Sequence, residues 1–180
     1  MSREPVETTT TPGLTSFAEG VRARFEQAST LSELLRQLSA QMREALRDPG
    51  LAPSDHWVYN DLDDLFQISA GVSGPMHETG PHDHGEHWVV YGVRKGAIET
   101  IRYERLDDGS DGDNAEIKPV RQYVMKAGDV DVIEPWGIHN QNNTTTEPAL
   151  NFVVRGYVGP IWRNRFDLEG KRVIRVGGRD

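Results

Sequence analysis

The chain has 180 residues, 28 acidic against 20 basic side chains for a net charge of -8, and no cysteine. That length suits one domain with its own core, and the acidic balance disfavours nucleic acid, whose phosphates reward clustered Lys and Arg. Without cysteine, disulfides, thiolate nucleophiles and cysteine-held zinc or iron-sulfur sites are excluded, so any metal must sit on His, Asp or Glu.

Residues 1–13 are rich in Thr, Glu and Pro without apolar periodicity and read as a disordered leader. Their start lacks the basic and apolar stretches of a secretory signal, and no apolar run further on is long enough to span a bilayer, which predicts a cytoplasmic protein. From Leu14 to about Ala28, apolar residues at Leu14, Phe17, Ala18, Val21 and Phe25 fall at helical spacing. Thr30 and Ser32 then precede Leu31, Leu34, Leu35, Leu38, Met42 and Leu46, ahead of Pro49-Gly50, and predict a second helix. The pair, residues 14–50, reads as a cover on the flank of the domain formed by residues 51–180.

After Pro53 the pattern changes to short segments rich in Val, Ile, Tyr, Trp and Phe, punctuated by Gly, Pro and Asp-Gly pairs. Strands are predicted over 56–60, 64–73, 86–94, 97–105, 119–125, 130–134, 149–157 and 171–176. The acidic run 106–114 lacks the ligand spacing of a calcium loop and reads as a solvated hairpin turn. Many short strands without intervening helices predict an all-β sandwich or barrel, with a jelly roll the best fit.

Four of the six histidines lie between positions 77 and 87. If His82 and His84 sit on a strand they share a face, roughly 6 to 7 Å apart, close enough to grip one cation, while Asp83 faces away. A third histidine, His139, follows in a segment whose Gly128, Pro135, Gly137 and Asn143 mark a strand, a tight turn and a return strand. His77 and His87 read as surface or supporting residues, with His87 near enough to act as an acid or base.

In this the sequence resembles the cupin superfamily. Its first motif, a Gly, an HxH pair and a later Gly, is matched by His82-Asp83-His84 and Gly96, with Met76 in the place of the leading Gly. Its second motif is matched by Gly128, Pro135-Trp136-Gly137, His139 and Asn143. The resemblance implies a cupin jelly-roll barrel with His82, His84 and His139 as metal ligands. The superfamily's usual Glu ligand would stand four residues after His84, where this chain has Trp88; Glu86 is the one acid close enough to offer a weak fourth contact.

A three-histidine shell without carboxylate resembles the thiol dioxygenase family, of which cysteine dioxygenase is the best-known member. Gly128-Asp129-Val130 and Glu147-Pro148-Ala149 add to the likeness. The family's pocket-lining Ser, His and Tyr fall at Asn151, Val153 and Arg155, so the tyrosine is missing there, and Tyr157, two residues on, is the substitute that the sequence offers. The cross-linking cysteine falls at Val89, and the segment 56–66, upstream of the HxH pair, offers no arginine to hold an amino acid's carboxylate. Cysteine is therefore not the expected substrate.

Arg155, pointing inward in the row of Asn151 and Val153, can hold a carboxylate or sulfonate, or alternatively pair with an acid such as Glu134. Trp88, Tyr91 and Trp136 offer an aromatic wall, and Gln141 or Asn143 a group that orients a ligand histidine. The resemblance implies an Fe(2+) cofactor and a dioxygenase acting with dioxygen on a small anionic molecule, a thiol other than cysteine, in a monomer or homodimer. Imidazole also suits zinc, nickel and other divalent metals. A cupin isomerase or hydrolase using one of these, or a non-catalytic sensing cupin, is the alternative.

Overall fold

The computed structural model describes residues 12–51, 57–61, 63, 65–156 and 162–177. Two helices come first, α1 (Pro12–Gln27) and α2 (Leu31–Ala45). Ten strands follow: β1 (Trp57–Asn60), β2 (Phe66–Ser73), β3 (Val89–Lys95), β4 (Ala97–Arg105), β5 (Ile117–Lys126), β6 (Val130–Ile133), β7 (Ile138–Asn142), β8 (Ala149–Gly156), β9 (Trp162–Asp167) and β10 (Arg172–Gly177). The predicted helices and strands are present within a few residues of their expected ends. Helix α1 takes in Pro12 and Gly13 from the expected leader; residues 1–11 lie outside the described residues. Strand β9 was not expected.

One sheet has the order β1-β2-β8-β3-β6 and a second the order β5-β4-β7, with the β9–β10 hairpin beside it. All of the strand pairings are antiparallel. The architecture is a cupin-type β-barrel with two helices on its flank. No helix among the described residues is long and apolar enough to cross a membrane.

Strand β3 shows why the layers stack as they do. It is buried on both faces, so its sequence is a continuous apolar run rather than an alternation. Val90 and neighbouring Trp88 face the helices, packing with Leu38, Met42, Phe66, Ile68, Phe152 and Val154. Val89, Tyr91 and Val93 face the barrel interior, with Ile98, Met125, Ile133 and Ala149. A third, smaller cluster of Ala115, Ile138 and Phe166 seats the β9–β10 hairpin.

Helix α2 begins with Thr30, whose side chain accepts from the Glu33 N–H at 3.2 Å, while the Glu33 carboxylate accepts from the Ser29 N–H at 3.1 Å. Its end is tied down by Arg94 of β3, which donates to the Leu46 carbonyl. Arg22 on α1 pairs with the buried Asp61 just after β1. Between them the helix lies directly on Gly92: a Cβ there would stand 2.8 Å from Met42 Cγ. Gly92→Ala is accordingly expected to lift α2 from the sheet and to cost about 1 to 3 kcal/mol, read as a lower urea midpoint. An unchanged midpoint would mean that α2 is not seated there.

Candidate metal centre

His82 and His84 precede β3 in an extended loop rather than a strand. His82 nevertheless does a strand's work for one residue. It bridges His139 of β7 on one side and Arg165 of β9 on the other, and His82 and His139 exchange both backbone hydrogen bonds, at 2.8 and 2.9 Å. The loop therefore fills the gap between the three-stranded sheet and the hairpin. Residues paired across antiparallel strands point to the same face, so these backbone bonds turn the His82 and His139 rings together.

Asp83 points the other way, as expected, and anchors the loop from behind. Buried, it accepts from the Gly85 N–H at 3.0 Å, the Asn164 N–H at 3.0 Å and the Asn164 side-chain amide at 2.9 Å. Trp136, in the turn between β6 and β7, adds a backbone bond to the Gly85 carbonyl at 2.7 Å.

The three imidazoles converge, with one nitrogen from each of His82, His84 and His139 within 4.8 Å of the others. His84 Nε2 and His139 Nε2 are 3.1 Å apart. His82 Nδ1 lies 3.0 Å from the Gly80 carbonyl, which can only accept, so Nδ1 carries the proton and Nε2 keeps its lone pair for a metal. His139 Nδ1 is buried without a hydrogen-bond partner among the described residues.

Burial holds all three rings neutral, with help from nearby positive charge. His82 is pushed down to about 4, chiefly by burial, with Arg163, Arg165 and Arg155 adding to it against the Gly80 bond. His84 falls to about 2, by burial and then Arg155 and His82. His139 lies well below its usual value, by burial first and then by its neighbours His82 and His84 and the charges of Arg102 and Arg155. Three buried neutral imidazoles with converging lone pairs fit one divalent cation, and no carboxylate belongs to the group among the described residues.

These shifts carry a stability consequence. In the chelated protein the folded state refuses protons that unfolded histidines bind below their usual 6.5, so stability falls as pH drops through that value. His82 alone is expected to cost roughly 3 kcal/mol by the time pH reaches its folded value. Urea midpoints at pH 7.5 and 5 check this; equal midpoints would mean that the rings are hydrated.

The remaining site candidates divide. Tyr91, buried on β3, places its hydroxyl 3.0 Å from His84 Nε2 and its ring centroid 5.5 Å from that of His139. Burial raises its pKa, opposed by the Arg155 charge, so the phenol stays protonated. Arg155 lies in the interior row of β8, opposite Val89, with its guanidinium beside the Tyr91 hydroxyl. It forms no ion pair with Glu134, which is exposed. Asn151 shares that row and donates to Ser73 Oγ at 3.2 Å.

Trp88 is not at the site. It lies on the helix side of the sheet, its ring centroid 5.9 Å from that of Phe25, in space that Gly156 leaves open: a Cβ on Gly156 would stand 2.5 Å from the indole. The reason is alternation, since Trp88 shares a face with Val90 and not with Val89. Glu86 is exposed in a turn and outside the histidine group. Trp136 is 51% exposed, so it is no inner wall. Asn143 orients no histidine; it donates to the Ser73 and Glu147 carbonyls at 3.0 and 2.7 Å and organises the turn before β8. Gln141 is half-buried on β7, two residues beyond His139, where its backbone N–H donates to Thr79 Oγ1 at 2.9 Å. Tyr157 lies outside the described residues.

Buried His87 sits beside His84 and donates through Nδ1 to the Gly156 carbonyl at 2.9 Å. Exposed His77 is bridged to Asn143. The residue missed by sequence reasoning is Arg163. It sits on the unexpected strand β9, two residues from Arg165, and its charge bears on both His82 and His84. Its only sequence signal is the alternation Arg163-Asn164-Arg165.

No family model and no curated protein matches the chain. Among solved structures, a sugar phosphate isomerase from a cupin superfamily of Silicibacter pomeroyi superposes with a TM-score of 0.45 at 16% identity, covering 63% of this chain and 68% of that one. The cupin domain of Schizosaccharomyces pombe Cnp3 gives 0.44 at 12%, covering 57% and 64%. Oxalate oxidase in complex with glycolate gives 0.44 at 20%, covering 59% of this chain and 53% of that one. By its own strand order and histidine geometry, this chain is a cupin-type barrel carrying a three-histidine metal-binding group.

Proposed function

We propose that this protein is a non-haem iron(II) dioxygenase that converts a small thiol other than cysteine to its sulfinate. It would work in the cytoplasm, as a monomer or homodimer. The balance is RSH + O2 → RSO2⁻ + H⁺, with both oxygen atoms ending on sulfur. The observation that carries the reading is the group itself: three buried imidazoles and, among the described residues, no carboxylate. Its motifs resemble those of the thiol dioxygenases. Iron(II) held there would supply a redox centre whose two positive charges no protein carboxylate offsets, which favours an anionic substrate.

The protein's own residues have separable tasks. Burial keeps the three imidazoles neutral, with their lone pairs available at neutral pH. Val89, Val93, Ile98 and Ile133 keep the barrel interior dry. Arg155 offers a fixed positive charge to the substrate's anionic group. The Tyr91 hydroxyl, protonated and 3.0 Å from His84 Nε2, can hold or donate a proton beside the reacting sulfur.

Metal analysis of protein purified without added metal, followed by oxygen-electrode assays against a thiol panel, tests the reading. Iron with thiol-dependent oxygen uptake and sulfinate formation is the expected result. Iron-loaded protein inert to oxygen with every thiol would sink it; zinc or nickel at full occupancy would favour an isomerase or hydrolase. Tyr91→Phe is expected to lower kcat by roughly 10²-fold while metal content stays full. Unchanged kcat would remove Tyr91 from the chemistry.

A further inference from the structure

Two arginines from opposite walls of the barrel meet beside the histidines. Arg155 comes from β8 of the five-stranded sheet, where it is paired in register with Gln67 and Val89. Arg163 comes from β9, on the other wall. The bridge between His82 and Arg165 fixes its position: continuing that antiparallel pairing by two residues sets Arg163 opposite His84, on the same face. The intermediate pair agrees, because Asp83 and Asn164 meet on the opposite face through three hydrogen bonds.

Neither arginine is neutralised by a described residue. Neither takes part in an ion pair among the described residues, and the Nε of Arg155 is buried with no hydrogen-bond partner. Arg102, also on this side, differs, being paired to Asp131 at 2.8 Å, and Arg165, two residues from Arg163 on β9, is exposed. Burial, and then the positive charges of Arg165 and Arg155, make Arg163 easier to deprotonate than usual. Desolvating two like charges side by side is unfavourable unless an anion joins them. A single carboxylate leaves one guanidinium uncompensated, whereas a dianion satisfies both, each fork taking its own oxygens.

We propose that Arg155 and Arg163 form an anion subsite beside the three histidines that selects a substrate with a doubly negative head: a tetrahedral oxyanion such as a phosphonate, or a vicinal pair of carboxylates. The inference rests on the reading of this pocket as the substrate site and adds the substrate's charge class. It requires neither iron nor oxygen.

Calorimetric titration of the full-length, chelator-treated protein with sulfate, succinate and acetate at fixed ionic strength tests it, since without metal only the protein can hold the anion. At least one of the two dianions is expected to bind about tenfold or more tighter than acetate, and the better of the two identifies the head group. Arg155→Gln and Arg163→Gln should each weaken it by about tenfold or more, and the exposed Arg121→Gln should leave it unchanged. Arg163→Lys, which keeps the charge and loses the fork, should fall between and guards against misfolding of the Gln variants. His139→Ala should keep anion binding. Equal affinity for acetate and both dianions, or dianion binding untouched in both arginine variants, would overturn the subsite. An enzyme that binds the dianion but never consumes oxygen would instead overturn the dioxygenase reading alone.

Discussion

His139→Ala is expected to abolish metal binding while the barrel stays folded. His139 is completely buried on β7, and its Nε2 lies 3.1 Å from that of His84, so its removal takes away one of three converging donors. The loss in affinity should go well beyond the roughly 10- to 100-fold that removal of a group supporting a ligand produces. Folding should suffer far less. The backbone bonds between residues 82 and 139 do not depend on the ring, and the substitution also removes an imidazole Nδ1 that is buried without a partner. Metal content by elemental analysis and far-UV circular dichroism separate the two effects. Metal retained at full occupancy by a folded variant would mean that the ligand set is wrong.

Asp83→Ala is expected to damage fold and metal site together. Its carboxylate is the common acceptor of three donors, two of them from Asn164, and is buried. Removing it strands those donors away from water, at about 1 to 3 kcal/mol for each group left unsatisfied. The damage is aimed at the site, because the same bonds hold the segment between His82 and His84 against β9. We expect a fall of several kcal/mol in unfolding free energy, together with a loss of metal affinity of roughly 10- to 100-fold. Asp83→Asn, which keeps an acceptor, should recover part of both. A variant with wild-type stability and affinity would show that the loop is held from elsewhere.

The contrast between these two residues shows what the sequence could and could not reveal. The three histidines were legible through their resemblance to the two cupin motifs, and the structure brings their nitrogens together. The helices and most strands were legible through their apolar periods. Asp83 was expected only to face away; its anchoring role depends on β9, and β9 reads as Trp-Arg-Asn-Arg-Phe-Asp, with too few apolar positions to announce a strand. Arg163 was hidden for the same reason.

Backbone geometry explains a second gap. Met76 stands where the cupin motif has glycine and adopts φ 54°, the left-handed conformation that glycine favours. Trp136, at φ 64°, adopts the same left-handed conformation between β6 and β7. Trp88 failed as a site candidate because a motif alignment gives its place in the chain but not its face. One step of alternation sends it to the helices while Val89 and Tyr91 face the histidines, and Tyr91 thereby brings a phenol to the metal site from a strand other than the one where the sequence offered Tyr157.

The most direct test of the central claim is the metal stoichiometry of the wild-type protein beside His82→Ala, His84→Ala and His139→Ala, each confirmed as folded. The account predicts one divalent metal per chain in the wild type and less than a tenth of that in each variant. Full occupancy in any one of the three, or none in the wild type after loading with iron(II) under nitrogen, would contradict it.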